Sequence, residues 1–326
     1  MKYFNIRKLT FRNFCHLGKL KCGKLIGKGS NADVYECSIR KKKYLVKKIS
    51  FDSTVCYIRR TDENYSLKVF RNKLVDQEIV DNVDLPCQPF AYGYQTIDTD
   101  SAKKLILSTS FVNESIVSGL VSNLPFFVRT EDAFAGYKHG NIVMEHAGTP
   151  LNTFLKDNEL SVDEIKSIVQ QVMIALTWAQ HKYFFKHHDL HTGNIFVQKM
   201  DIPFEYDLPN GEKVRLKSNK YLAKIGDFGF SSATYNNLRY GRCDLHLNIE
   251  GREWGKWNNF LSSNTGYDVI MFLGFLSNDV MNEEAQKFAK DVFKFAKKKT
   301  RVSKLCLRPL SENDTNPTEI LNFIKL

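Results

Sequence analysis

The chain has 326 residues, of which 43% are hydrophobic and 13% aromatic, and a formal net charge of +11. This length and apolar content can bury a core large enough for two lobes, which excludes a disordered chain. The longest apolar run, residues 269–276, is too short to span a bilayer and no signal-peptide pattern opens the chain, so the sequence predicts a soluble, intracellular protein without a transmembrane segment.

Positive charge is concentrated at the start of the chain, in positions 1–60. This segment contains 16 Lys or Arg against three acidic residues, a net charge of +13, whereas the remainder sums to −2. This pattern predicts either a basic solvated face or a docking surface for an acidic partner, nucleic acid or an anionic membrane.

Cysteine usage bears on the redox compartment. The seven cysteines show no C-x-x-C pair and stand at positions 15, 22, 37, 56, 87, 243 and 306. An odd, scattered set without metal-ligand spacing predicts reduced thiols in an intracellular compartment and no zinc site.

Small residues separate two strand-like segments near the start of the chain. Residues 24–35 include Gly27, Gly29 and Ala32, a pattern that lets backbone N–H groups close over phosphates, although a plain β-turn is the alternative. A strand-like segment at 44–49 follows and carries Lys47, at a separation from Gly27 that suits a hairpin. Residues 65–70, with Lys68, form a similar segment.

Two helical patterns follow, and each carries one glutamate. Residues 111–121 contain Glu114 and precede a strand-like segment at 124–129, whereas residues 74–80 contain Glu78. Farther on, residues 141–148 indicate a strand that ends in a glycine-containing connector. Ser161 and Glu164 form a capping box, which predicts a core helix extending to about Ala179.

The most informative segment is residues 186–194, K-H-H-D-L-H-T-G-N, which is followed later in the chain by D-F-G at 227–229. Each motif lies next to a strand-like run, at 195–197 and 221–225. Carboxylate and amide oxygens suit Mg²⁺, a hard cation, when loops bring them together.

Other patterns frame these motifs. Residues 204–216 read as two short strands joined by Asn210-Gly211, a strong hairpin signal. Residues 266–274 and 317–321 are helical in pattern. Residues 287–299 are amphipathic and basic, which predicts a surface helix rather than a membrane helix.

In this order, the motifs resemble those of the protein kinase superfamily. Residues 187–194 are similar to H-R-D-x-x-x-x-N, 27–34 to the glycine-rich loop G-x-G-x-x-G-x-V, and 44–49 to the V-A-I-K strand. The hairpin and D-L-H-x-G-N narrow the resemblance to haspin and the divergent serine/threonine kinases of large DNA viruses, such as the poxvirus late kinase. The resemblance implies a single α+β kinase domain with two lobes: a small antiparallel β lobe with one helix at about 20–146, interrupted by an insertion near 50–108, and a mainly helical lobe at 147–326.

The resemblance also implies a serine/threonine protein kinase that uses ATP, bound between the lobes, and Mg²⁺ or Mn²⁺. Asp189 would take the proton of the substrate hydroxyl, and Asn194 and Asp227 would bind the metal. Lys47, held by Glu114, would grip the phosphates, with Lys68 and Glu78 as the alternatives. Asp268 in the helical pattern at 266–274 would brace the catalytic loop, residues 186–194. The nucleotide would contact Gly27, Lys28, Gly29, Ser30, Ala32, Val34, Lys47, the gatekeeper Met144, Glu145, Ala147 and Phe196.

Three histidines depart from the family pattern. His188 replaces an arginine that grips a phosphorylated activation loop in regulated kinases, and no A-P-E follows the D-F-G, so control by that phosphorylation is not expected. His191 replaces a lysine that touches the γ-phosphate, and it is predicted to donate a hydrogen bond there, most strongly when protonated. His187 is predicted to be a packed core histidine.

Two other functions are compatible with the motifs. A small-molecule kinase of the aminoglycoside or choline type shares H-x-D-x-x-x-x-N, but the intact D-F-G favours a protein kinase. The second alternative is a pseudokinase scaffold that binds a nucleotide or a partner without turnover. The presence of all four catalytic residue types, Lys, Asp, Asn and Asp, counts against it. The expected partners are ATP and protein substrates, acidic ones included, and the expected location is cytoplasmic, in the host cytoplasm or virion if the source is viral.

Overall fold

A computed structural model describes residues 21–28, 32–39, 42–50, 54–61, 64–71, 111, 114–135, 139–235, 238–241, 266–299 and 316–325. These residues form two compact units. The first contains those within Met1–Ser122, Arg129–His146 and Thr234–Gly251, and the second those within Asn123–Val128, Ala147–Ala233 and Arg252–Leu326. Sheets and helices are both present, in agreement with the predicted α+β class.

The first unit is built on a five-stranded antiparallel sheet with strand order β1-β2-β3-β7-β6. Apolar residues of the central strands, including Val46 and Val143, are buried. A helix that contains residues 114–121 (α1) also belongs to this unit. The strands are β1 (Lys21–Lys28), β2 (Ala32–Ile39), β3 (Lys42–Ser50), β6 (Thr130–Ala135) and β7 (His139–Glu145).

Cys22 and Cys37 form a disulfide in this sheet, so the expectation of reduced thiols is wrong for this pair. The two residues face each other across β1 and β2, with their Cα atoms 4.0 Å apart. Spacing along the sequence did not indicate the bond because the strand pairing creates the proximity. The other five cysteine side chains lie outside the described residues.

Part of the predicted insertion at 50–108 is described. Strands β4 (Thr54–Thr61) and β5 (Asn64–Arg71) pair with each other in a separate two-stranded sheet. The strand-like segment at 65–70 is therefore β5, and it is not a strand of the five-stranded sheet. Glu78 and the side chain of Lys68 lie outside the described residues.

The second unit has a long helix and a small sheet. Helix α3 (Val162–Tyr183) begins at Ser161, and the predicted capping box is confirmed by reciprocal hydrogen bonds with Glu164. Strands β8 (Thr149–Pro150), β9 (Ile195–Lys199) and β12 (Tyr221–Ile225) form an antiparallel sheet with order β12-β9-β8.

Residues 123–128 belong to the second unit, although the sequence places them within the lobe at 20–146. Val128 N–H donates to the Ile225 carbonyl at 2.8 Å, and Ile225 N–H donates to Phe126 at 2.8 Å. These backbone bonds attach the segment to β12. Phe126 has a positive φ of 61° and packs on Tyr206 of the hairpin, with ring centroids 4.6 Å apart.

The predicted hairpin at 204–216 is confirmed, but its turn is longer than the two residues Asn210-Gly211. Strands β10 (Glu205–Asp207) and β11 (Lys213–Arg215) pair up to Asp207 and Lys213, so five residues connect them. Leu208 is 3% exposed, and its N–H donates to the Glu212 carbonyl. Leu208 therefore belongs to the connection between the strands, which a pattern of turn residues does not reveal.

Four further described helices belong to the second unit. They confirm the helical patterns at 266–274, 287–299 and 317–321. No helix among the described residues is long and apolar enough to cross a membrane. The helices are α2 (Leu151–Asp157), α4 (Tyr267–Asp279), α5 (Glu283–Lys299) and α6 (Pro317–Lys325). The last two described strands, β13 (Ser232–Tyr235) and β14 (Leu238–Gly241), form a separate two-stranded sheet.

Candidate active site

In the first unit, Lys47 and Glu114 form a shielded ion pair. Lys47 lies on β3, and its Nζ is 2.8 Å from Glu114 Oε1 on α1. The side chains are 13% and 3% exposed, so solvent screens the pair weakly. The geometry joins the two residues that the sequence proposed as partners, 67 positions apart.

Phe111 and Gly140 explain why α1 lies close enough to the sheet for this pair to form. The Phe111 side chain is fully buried, and its ring occupies the space above Gly140 of β7. A Cβ built on Gly140 would lie 2.2 Å from the ring, so only glycine permits this contact. Since β7 pairs with β3, the ring anchors the start of α1 beside the strand that carries Lys47.

Gly140→Ala is expected to lower the free energy of unfolding by about 1–3 kcal/mol, because the new methyl group overpacks a buried ring. Urea unfolding would measure this change. Gly23→Ala on β1 is the matched control, since nothing lies within 4 Å of a Cβ there. Equal unfolding free energies for the two variants would contradict the anchoring contact.

The predicted nucleotide-binding residues of the first unit lie on its strands. Gly27 and Lys28 end β1 and pair with Val34 and Asp33, and Ala32 begins β2. Gly29 and Ser30 lie outside the described residues. Met144 and Glu145 end β7, where Glu145 Oε1 accepts the Arg129 N–H at 2.7 Å.

In the second unit, a buried carboxylate holds the start of the catalytic loop. Asp268 of α4 is 2% exposed and accepts the N–H groups of His187 and His188 at 2.7 and 2.9 Å. Burial raises the pKa of this carboxyl to about 6, against the lowering effect of these two N–H groups. At neutral pH the carboxylate is ionised and both oxygens accept. His188 adopts a positive φ of 65°, which turns the chain directly before Asp189.

His187 is fully buried, as predicted, but it also links the two catalytic motifs. Its Nε2 lies 2.9 Å from the Gly226 carbonyl, and its Nδ1 accepts the Asp189 N–H at 3.3 Å. A carbonyl can only accept, so Nε2 carries the proton. This linking role was not predicted from the sequence, because the motif at 186–194 contains no sign of the distant Gly226 carbonyl.

Around Asp189, two side chains are held by backbone contacts. Asn194 Nδ2 donates to the Asp189 carbonyl at 2.8 Å and lies 3.4 Å from Asp189 Oδ2. His191 Nδ1 accepts the Gly193 N–H at 3.0 Å, which places the ring proton on Nε2, 3.8 Å from Asp189 Oδ2.

Asp227 is exposed and has a positive φ of 59°. The preceding Gly226 donates its N–H to the Asn194 carbonyl at 2.9 Å, where the paired strands β9 and β12 meet the two loops. The following Phe228 is 1% exposed and packs against Phe127, Phe185 and His187, with ring centroids 5.9–6.3 Å away. Asp227 is therefore anchored on both sides while it stays accessible to solvent.

Comparison with known proteins shows similarity to kinases. Residues 91–246 match the family model described as "Protein kinase domain". A probable kinase of Invertebrate iridescent virus 3 is 31% identical over 187 residues, which is 56% of this chain and 34% of that protein. The serine/threonine-protein kinase haspin of Bos taurus is 22% identical over 51% of this chain and 22% of its own length. The chain is thus similar to divergent members of the protein kinase superfamily.

A probable serine/threonine-protein kinase of Dictyostelium discoideum is also similar, with 35% identity over 29% of this chain and 8% of that protein. The chain thus spans about a third or less of the length of these kinases. The family match begins at residue 91, after the glycine-rich segment and Lys47. The role predicted for Lys47 is therefore supported by its ion pair with Glu114 and not by that match.

The residues of this kinase-like site fit a divalent cation. Asp227 has an exposed carboxylate. Asn194 donates an amide N–H to the Asp189 carbonyl, so its amide oxygen is the atom that would bind a cation. Both are hard oxygen donors, as Mg²⁺ requires, and two protein ligands suffice when phosphate oxygens and water complete the octahedron. No cluster of three His, Cys, Asp or Glu suited to a metal occurs among the described residues, so an all-protein metal cage is not found there.

Phe196 and Ala147 complete the predicted nucleotide contacts in the second unit. The Phe196 ring packs over Gly226, where a Cβ would lie 2.8 Å from it. Ala147 is buried, next to Gly148, whose φ of 104° and contact with the Val197 carbonyl require glycine. Whether either residue meets a nucleotide stays a prediction.

Proposed function

We propose that this chain is an ATP-dependent protein kinase that transfers the γ-phosphate of ATP to serine and threonine hydroxyls of protein substrates. The observation that carries the proposal is the set of hydrogen bonds that fix the backbone of Asp189. Asp268 accepts N–H groups at the start of the loop, His187 accepts the Asp189 N–H, and Asn194 donates to the Asp189 carbonyl. A carboxylate fixed in this way can orient a substrate hydroxyl and accept its proton.

In this proposal, Asn194 and Asp227 hold Mg²⁺, and Lys47 contacts the phosphates. Mg²⁺ bound there would neutralise charge that develops on the transferred phosphate. The Lys47–Glu114 pair supports the choice of Lys47 because the buried carboxylate fixes the direction of the ammonium group. Catalysis then consists mainly of positioning and electrostatic stabilisation.

His191 acts in the proposal as a neutral hydrogen-bond donor. Its Nδ1 already accepts the Gly193 N–H, so the neutral ring presents Nε2–H beside Asp189. Protonation would place a second proton on Nδ1 and remove that acceptor. The hydrogen bond from His191 to the γ-phosphate stays a prediction.

Phosphosite mapping would test the proposed function against its two alternatives. The chain is incubated with labelled ATP and either a protein mixture or a panel of aminoglycosides and choline. Label on protein serine or threonine, absent with Asp227→Asn, supports the proposal. Label on the small molecules alone would support a small-molecule kinase, and nucleotide binding without transfer would support a scaffold.

Regulation is proposed to be independent of phosphate on the loop after Gly229. His188 Nε2 lies 3.0 Å from Ser232 Oγ, and both residues are buried. Lys186 and Ser232 also exchange two backbone hydrogen bonds, at 2.9 and 2.8 Å. These contacts order the start of that loop without a modification. An imidazole also lacks the fork with which arginine binds a phosphate.

Phosphatase-treated enzyme, freed of the phosphatase, is therefore expected to keep most of its activity. Phosphosites between residues 231 and 265 would be mapped, and each would be replaced by Ala. One such replacement that silences a folded enzyme would show that loop phosphorylation does control it.

A further inference from the structure

One face of α4 follows the catalytic loop along its length. Asp268, Phe275 and Asp279 are spaced by seven and four residues, and eleven residues make close to three turns, so they share one face over about 16 Å. Their partners follow the same order along the loop. Asp268 bonds the backbone of His187 and His188, the Phe275 ring lies 5.7 Å from the His191 ring, and Asp279 Oδ2 accepts the Thr192 hydroxyl.

The Thr192–Asp279 contact lies at the far end of the loop, where Asp268 cannot act. Thr192 is 2% exposed, so its hydroxyl needs a partner within the protein. It opens a 3-10 turn, Thr192–Asn194, in which the Asn194 N–H donates to the His191 carbonyl at 2.9 Å. Fixing the Thr192 side chain thus fixes the turn that carries Asn194.

We propose that Asp279 is a positioning residue for the catalytic loop, acting through Thr192 on Asn194. Asp268 fixes the start of the loop and Asp279 fixes its end, so a single rigid helix sets the distance between Asp189 and Asn194. This inference rests on the proposed function, in which Asp189 meets the substrate and Asn194 meets the metal. The requirement at position 279 is a hydrogen-bond acceptor, and a negative charge is not needed.

The test compares Asp279→Ala with Asp279→Asn, which keeps an acceptor oxygen, and with Asp291→Ala, which removes an exposed helical aspartate of α5. Asp279→Ala is expected to lower kcat about tenfold or more, with little change in the KM of the protein substrate, because the catalytic groups are misplaced. Asp279→Asn and Asp291→Ala are expected to keep a kcat near that of the wild type.

Thr192→Val should lower kcat as Asp279→Ala does, and Thr192→Ser should not. The double variant Thr192→Val with Asp279→Ala should be no slower than either single variant, because both substitutions remove the same contact.

Hydrogen exchange gives a readout that does not require activity. The Gly193 and Asn194 amides are bonded within the turn, so their exchange should be about tenfold faster in Asp279→Ala and Thr192→Val, and unchanged in Asp279→Asn. An inactive wild-type enzyme would overturn the proposed function, and the amide exchange rates would still decide the role of Asp279. The inference would be overturned if the amides of a folded Asp279→Ala exchanged at the wild-type rate. It would also be overturned if Asp279→Asn lost as much kcat and amide protection as Asp279→Ala. If Asp279→Ala does not fold, Thr192→Val and Thr192→Ser decide in the same way.

Discussion

Asp189→Asn is expected to lower kcat by about 10² or more, since an amide cannot accept the proton of the substrate hydroxyl. The fold should survive, because the Asp189 side chain is 35% exposed and its N–H and carbonyl bonds to His187 and Asn194 come from the backbone. Steady-state phosphotransfer to a protein mixture would measure the loss, and thermal unfolding would check the fold.

Asp207→Asn is the matched control for this substitution. Asp207 is an exposed carboxylate on the hairpin strand β10, and the same chemical change there should leave kcat unaltered. Near-normal turnover by folded Asp189→Asn would remove Asp189 from the reaction.

Lys47→Met is expected to abolish measurable phosphotransfer, because the proposed contact with the phosphates is lost and Glu114 is left buried without this ammonium group. Removing one partner of a buried pair typically costs about 3–5 kcal/mol, so the variant should also unfold more easily. Activity must therefore be measured well below its unfolding temperature.

Lys68→Met separates the two candidate lysines. Lys68 lies on β5, which pairs with β4 outside the five-stranded sheet, and its replacement should leave most of the activity. Glu114→Gln keeps a hydrogen-bonding side chain beside Lys47 and should reduce activity less than Lys47→Met does. An inactive Lys68→Met beside an active Lys47→Met would transfer the phosphate-binding role to β5.

The helices and most strands of this chain follow from local patterns. The capping box at Ser161 and Glu164 satisfies backbone groups within one turn, so a short stretch of sequence determines where α3 begins. The contact between Asp268 and the catalytic loop joins residues about 80 positions apart, and it was accessible only through the resemblance to kinases.

The features that sequence reasoning missed depend on tertiary contacts. Cys22 and Cys37 meet because a strand register places them opposite each other. Gly140 is needed because Phe111, which is distant from it along the chain, lies over it. His187 was expected to be a packing residue because its motif shows neither the Gly226 carbonyl nor the Asp189 N–H that its ring bonds. Periodicity and spacing contain no information on such pairs.

The most direct test of the central claim is the rate of labelled phosphate transfer from ATP to protein at a series of Mg²⁺ concentrations, for the wild type and Asp227→Asn. Asp227 is exposed and anchored by its neighbours, so its replacement should spare the fold. The wild type is predicted to transfer label only with a divalent cation, and folded Asp227→Asn to be about 10² or more slower. Transfer that needs no divalent cation, or that folded Asp227→Asn performs at the wild-type rate, would contradict the account.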